Sequence, residues 1–230
     1  MTFQARYVIL DFDGVIADTE NVFASFDRDL MNAYLERGGV EARVEYDEMR
    51  ALAGNPGEDK FDIIAGRYGV DLSAHRDAFI EERSEARSVL FRDVPAPLGR
   101  NLKELLALMT GRFALATNKT SAKLFHDMGL IGLTDLFPVI VPCDPPFRKK
   151  PEPDILLEAA KRIGAKPEQC VYVGDNTLDM VAAKAAGMAA AGFVIEGLSG
   201  HDERVRALVD AGADIVIDDF MSLERHLETV

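Results

Sequence analysis

Two aspartates one residue apart, Asp11 and Asp13, close the apolar run Val8-Ile9-Leu10, and Gly14 follows them. Side chains alternate along a strand, but a turn at Gly14 lets both carboxylates face a cavity at the strand's end. Carboxylates crowded in this way repel one another and favour either a bound cation or one raised pKa. Such a pair suits metal-assisted chemistry on an anionic substrate, with one carboxylate as nucleophile and the other moving protons. Taken alone, the pattern is also that of a strand followed by an acidic turn.

Three further segments bear on that choice. Thr117-Asn118 ends the run Phe113-Ala114-Leu115-Ala116. Its hydroxyl and amide are able to donate to phosphoryl oxygens without adding charge; the same dipeptide is an ordinary turn or helix cap. Lys149-Lys150-Pro151-Glu152-Pro153-Asp154 precedes a helical pattern. Proline is common at helix starts; here it also stiffens the segment carrying Lys150, whose ammonium meets a phosphate as a point charge. Val171-Tyr172-Val173-Gly174-Asp175 repeats the opening pattern, and Asp179 follows four residues on. The helix dipole alone accounts for an acid in a first turn, as expected for Asp179. It accounts less well for Asp175, whose expected neighbours are Asp11 and Asp13. Several carboxylates at one crevice call for a divalent cation, and all-oxygen ligation with room for water and a phosphate points to Mg²⁺ rather than zinc. The four histidines, His75, His126, His201 and His226, are scattered away from these segments and read as surface or helix-packing residues.

The elements that must position these groups are short apolar runs near residues 6–11, 112–117, 138–142, 169–174, 188–194 and 213–217. Helical patterns lie between most of them, with Leu102, Leu105, Leu106 and Met109 in one and Ile155, Leu156, Ala159 and Ile163 in another. This alternation predicts an α/β fold, a parallel sheet covered by helices on both faces. Ligands bind such sheets outside the carboxyl ends of the strands, where Asp11, Thr117-Asn118 and Asp175 all stand.

Residues 18–93 break the alternation. They contain no convincing strand and read as an all-helical insert, with Val22, Phe26, Leu30 and Ala33-Tyr34 spaced for one apolar face. Gly38-Gly39, Gly54-Asn55-Pro56-Gly57 and Tyr68-Gly69 punctuate the insert, and Pro95 and Pro97 mark its end. The dense charge of Glu81-Glu82-Arg83-Ser84-Glu85-Ala86-Arg87 reads as a solvated helix face, and Lys60 as an exposed helix lysine in preference to one reaching over an active site.

A hydrophobic content of 48% supports a well-buried core in 230 residues, as one large domain or a core with an insert. The net charge of −13 argues against nucleic acid or an anionic membrane as partner. Cys143 and Cys170 form no CxxC pair and imply no disulfide framework. No signal peptide or membrane-spanning run is evident, so a cytoplasmic protein is expected.

The set Asp11-Phe12-Asp13-Gly14-Val15, Thr117-Asn118, Lys150-Pro151 and Gly174-Asp175 with Asp179 resembles the four signature motifs of the haloacid dehalogenase-like hydrolase superfamily. The stretch from Lys150 to Gly187, including Ala182-Ala183-Lys184-Ala185-Ala186-Gly187, resembles its phosphoglycolate phosphatase-like and β-phosphoglucomutase-like branch. The resemblance implies a Rossmann-like core of residues 1–17 and 94–230 with a helical cap of residues 18–93. It implies that Asp11 attacks phosphorus to form an aspartyl-phosphate. Asp13 then protonates the leaving oxygen and activates the hydrolytic water. Mg²⁺ is expected on the Asp11 carboxylate, the Asp13 backbone carbonyl and Asp175. Asp179 would act through water or by orienting its neighbours. Thr117 and Lys150, assisted by Asn118, are expected to hold the phosphoryl group.

The dehalogenase and phosphonatase branches lack the second aspartate, so Asp13 favours phosphoester chemistry on a small phosphorylated metabolite. Enzymes resembling β-phosphoglucomutase carry a cap histidine roughly where Phe23 stands and an arginine where Gly57 stands. A phosphatase is therefore expected over a phosphomutase, with a phosphoglycolate-like or a sugar-phosphate substrate equally open. A catalytically retired binding module is the remaining alternative. Every motif position carries a competent residue.

Overall fold

The sheet follows from runs of three to five apolar residues, too short for helices. In the computed structural model, which describes residues 3–52, 55, 57–92, 100–195 and 200–228, they form six parallel strands. These are β1 (Tyr7–Leu10), β2 (Phe113–Thr117), β3 (Ile140–Pro142), β4 (Cys170–Gly174), β5 (Ala189–Phe193) and β6 (Ile215–Ile217). Their order is β3-β2-β1-β4-β5-β6. Every residue of β2 and β4 is buried, which is why these strands read as continuous apolar runs and do not alternate. The chain crosses from one half of the sheet to the other beside β1, between β2 and β4, and this switch point opens the crevice at the carboxyl ends.

After α1 (Thr19–Arg37), α2 (Tyr46–Arg50), α3 (Gly57–Arg67) and α4 (Arg76–Arg92), the helices that accompany the later strands are α5 (Leu102–Leu108), α6 (Ser121–Leu130), α7 (Asp154–Arg162), α8 (Thr177–Ala185) and α9 (His201–Asp210). Ile155, Leu156 and Ala159 of α7, with Met180, Ala182 and Ala183 of α8, join Ile9, Ala114, Ala116, Tyr172 and Ala190 in one buried cluster. Stacked Phe193 and Phe220 are both fully buried.

The chain divides into two compact units, Met1–Asp18 with Pro95–Val230, and Thr19–Val94. The second contains α1 (Thr19–Arg37), α2 (Tyr46–Arg50), α3 (Gly57–Arg67) and α4 (Arg76–Arg92), and no strand among the described residues. Gly54, Pro56, Pro95 and Pro97 lie outside the described residues. Tyr34, Phe61 and Phe79 pack together, with ring centroids 4.8–6.1 Å apart.

The buried stripe of α1 differs from the expected one. It runs through Phe23, Ala24, Asp27, Met31, Tyr34 and Leu35, while Val22, Phe26, Leu30 and Ala33 are only half-buried. A reading that keeps charges off apolar faces slides past the true stripe because Asp27 sits at its centre. The Asp27 carboxylate accepts hydrogen bonds from Lys60 Nζ at 3.0 Å and from Arg83 Nε and Nη2 at 2.6 and 3.1 Å. Lys60 is therefore a buried ion-pair partner, 5% exposed, and not the exposed lysine expected. Arg83 likewise turns inward from a face whose Glu81, Glu82, Ser84 and Glu85 are exposed. Among the described residues no helix is long and apolar enough to cross a membrane.

Candidate active site

The sheet hydrogen bonding continues one residue past β1, since the Asp11 N–H donates to Val173 O at 2.9 Å. This pins Asp11 at the mouth of the switch point, where it is 6% exposed. One oxygen, Oδ1, accepts the Phe12 N–H at 2.8 Å; the other, Oδ2, accepts Lys150 Nζ at 2.8 Å. Lys150 Nζ also lies 2.6 Å from Asp179 Oδ1 and donates to the Tyr172 hydroxyl at 2.9 Å. That hydroxyl donates in turn to Ala116 O at 3.0 Å. Lys150 thus bridges two carboxylates, and Tyr172 fixes its third direction.

Burial pushes the Asp11 carboxyl up to about 7, outweighing the lowering effect of Lys150. Burial also pulls on Lys150 in the neutral direction, but Asp11 and Asp179 outweigh it and hold the ammonium well above the usual lysine range. Lys150 stays charged. The strained partner is Asp11, which shares its crevice with the like charges of Asp179 and Asp13.

Asp175 follows β4 and Asp179 lies in the first turn of α8. Asp179 Oδ2 accepts the Asn176 N–H at 2.9 Å while Asn176 Oδ1 accepts the Leu178 N–H, a reciprocal cap of the helix start. The cap and the bond to Lys150 use different oxygens of one carboxylate, so neither excludes the other. Gly174 makes this possible, because a Cβ there would lie 2.3 Å from the Asp179 Cβ.

The structure brings the carboxylates of Asp11, Asp175 and Asp179 together, with one oxygen from each within 4.8 Å of the others. The donor set is all oxygen, and space exists beside Asp175 only because residue 14 is glycine: at its φ of +70° a Cβ would sit 2.2 Å from Asp175 Oδ2. A hard divalent cation fits this set. The Asp13 carboxylate stands outside it, 2.5 Å from Lys119 Nζ. Thr117, at the end of β2, is 1% exposed. Asn118 directly follows Thr117 in the chain. Its Oδ1 accepts the Lys150 N–H at 2.8 Å and its Nδ2 reaches Lys150 O at 3.5 Å, so the amide clamps the segment that carries the lysine.

Three groups at the site were not singled out from sequence. Tyr172 is a hydroxyl in a fully buried strand, and such a hydroxyl must find a partner, which is a usable signal. Lys119 and Arg204 give no such signal. Arg204, on α9, places Nη2 3.6 Å from Asp175 Oδ2.

A sequence profile of the haloacid dehalogenase-like hydrolases matches residues 8–193. Fructose-1-phosphate phosphatase YqaB of Escherichia coli is 31% identical over 183 residues, covering 79% of this chain and 92% of that relative. Phosphoglycolate phosphatase of Salmonella typhimurium is 32% identical over 189 residues, covering 82% and 71%. Among solved structures, a conserved haloacid dehalogenase-like protein from Agrobacterium tumefaciens aligns with a TM-score of 0.75 at 28% identity, over 96% of each chain. A hydrolase from Deinococcus radiodurans, solved with bound phosphate and sodium, aligns with a TM-score of 0.76 at 26% identity, over 95% of this chain and 93% of the other.

Proposed function

The chain belongs to the haloacid dehalogenase-like hydrolase family, and we propose that it is a cytoplasmic Mg²⁺-dependent phosphatase that hydrolyses a small phosphomonoester through an aspartyl-phosphate. The observation that carries this reading is the Lys150 ammonium bonded to Asp11 at the carboxyl end of β1. It sets a buried carboxylate nucleophile beside a fixed positive charge that is able to meet a phosphoryl oxygen.

In the first step an Asp11 oxygen bonds to phosphorus while the bond to the leaving oxygen breaks and Asp13 supplies that oxygen with a proton. In the second, Asp13 takes a proton from water as the water oxygen bonds to phosphorus, the acyl-phosphate bond breaks and phosphate departs. Thr117 and Lys150 hold the phosphoryl group, and Asn118 keeps Lys150 in place. Asp11, the Asp13 backbone carbonyl and Asp175 would hold Mg²⁺, with Asp179 orienting its neighbours. When bound, the ion supplies charge neutralisation for the phosphoryl oxygens.

In this reading Thr19–Val94 is a cap that selects the leaving group. Hydrolysis is favoured over a mutase reaction because Phe23 offers only an apolar ring, packed on Phe91 at 5.4 Å, and Gly57 has no side chain. The two relatives named above are both phosphatases of small phosphomonoesters, which supports the same substrate class. The test is release of inorganic phosphate from a panel of phosphorylated metabolites, with and without Mg²⁺, by the wild type and Asp11→Asn. Turnover that survives in Asp11→Asn, with deamidation excluded, would sink the mechanism. Glucose 6-phosphate formed from β-glucose 1-phosphate faster than inorganic phosphate would favour the mutase.

A further inference from the structure

We infer that Lys119 is a positioning residue for Asp13, and that Asp127 in turn holds Lys119; this rests on the reading of Asp13 as the general acid and base. Lys119 lies two residues beyond the end of β2. Its Nζ stands 2.5 Å from Asp13 Oδ1, 3.0 Å from Asp127 Oδ2 and 4.9 Å from the centroid of Phe12, the residue between the two aspartates. The Lys119 side chain is 10% exposed and that of Asp127 is 0% exposed.

The geometry is that of a brace. Asp13 sits on the loop after β1 with 24% of its side chain exposed, where a carboxylate left to itself samples several rotamers. A lysine is a poor brace when free, because its flexible stem loses much rotamer entropy on being fixed. Here Asp127, on α6, holds the same ammonium from a second element before any substrate arrives. A buried ion pair contributes little net stability compared with apolar packing. Stability alone is therefore a weak reason for an aspartate at this fully buried position, and holding Lys119 against Asp13 is a sufficient one. The effect is on orientation: the Asp13 carboxylate is kept within reach of the leaving oxygen, and misplacement by about 1 Å is enough to cost about 10²-fold in rate.

The test uses the whole enzyme, with Lys119→Met, Lys119→Arg and Asp127→Asn, and two esters in single-turnover measurements. An alkyl phosphomonoester needs a proton on its leaving oxygen, whereas p-nitrophenyl phosphate expels a stable anion. For Lys119→Met we expect alcohol release from the alkyl ester to fall about 10- to 100-fold with steady-state KM nearly unchanged, while p-nitrophenolate release falls only slightly. Lys119→Arg should recover most of the loss, and Asp127→Asn should show the same imbalance between esters, less strongly. Equal losses on both esters, a raised KM at unchanged kcat, or wild-type rates would each overturn the inference. If Lys119→Met fails to fold, Asp127→Asn reads the same ratio. A wild type without phosphatase activity would overturn the functional reading itself, so the two failures are distinct.

Discussion

Gly14 and Asp175 compete for one volume: a Cβ on residue 14 would lie 2.2 Å from Asp175 Oδ2. The residue after the first aspartate pair therefore determines where a carboxylate 161 positions later can stand. Gly14→Ala must both adopt a left-handed backbone, at about 1–2 kcal/mol, and displace Asp175. We expect thermal stability to fall modestly and Mg²⁺ affinity to fall much further, measured by calorimetric titration of the ion. Unchanged ion affinity would remove Asp175 from the cation site.

Lys150 offers a test in the folded state without substrate. Lys150→Met leaves Asp11 and Asp179 facing one another without their shared cation, a loss of about 3–5 kcal/mol by analogy with other broken buried pairs. Because a divalent cation offers the same neutralisation, Mg²⁺ should raise the melting temperature of Lys150→Met more than that of the wild type. Equal shifts would show that ion and lysine do not act on the same carboxylates.

In the helical unit, Asp27 answers two cations at once. Asp27→Asn should destabilise by about 3–5 kcal/mol, since it strands a buried lysine. The pair Asp27→Leu with Lys60→Met should recover much of that loss. Denaturant unfolding checks both, and a single mutant no less stable than the wild type would mean that water solvates Lys60 in place of Asp27.

Burial pushes the Cys170 thiol up to about 12 and raises that of Cys143 as well. Native protein should therefore resist iodoacetamide at pH 8, and both thiols should react once the chain is unfolded. A folded pKa above the ordinary thiol value also sets a sign for linkage. The Cys170 contribution to stability is complete below pH 9 and is lost between about 9 and 12, as the unfolded chain gives up its proton first. Rapid alkylation of the native protein would contradict the burial.

The six strands and the motif-bearing strand ends were legible because each depends on a run of adjacent residues. Asp11, Thr117 and Asp175 stand at strand ends as expected. What escaped depends on partners distant in sequence. Lys119 takes its place from Asp13, 106 positions away, and Asp27 becomes a core residue only because Lys60 and Arg83 arrive from other helices. Arg204 lies beyond the segment that the family profile matches, residues 8–193. The clamp that Asn118 makes on Lys150 is of the same kind, since the backbone amide it accepts from lies 32 residues on.

The strand order has a consequence for where this protein opens. β2, β1 and β4, which carry Thr117, Asp11 and Asp175 at their ends, are each hydrogen-bonded to a neighbour on both sides. The edge strands β3 and β6 have three residues apiece and one neighbour each. Amide exchange with solvent should begin at those margins and reach the central three strands only through opening of the whole sheet. On that expectation the borders breathe while Asp11, Asp175 and Asp179 stay assembled.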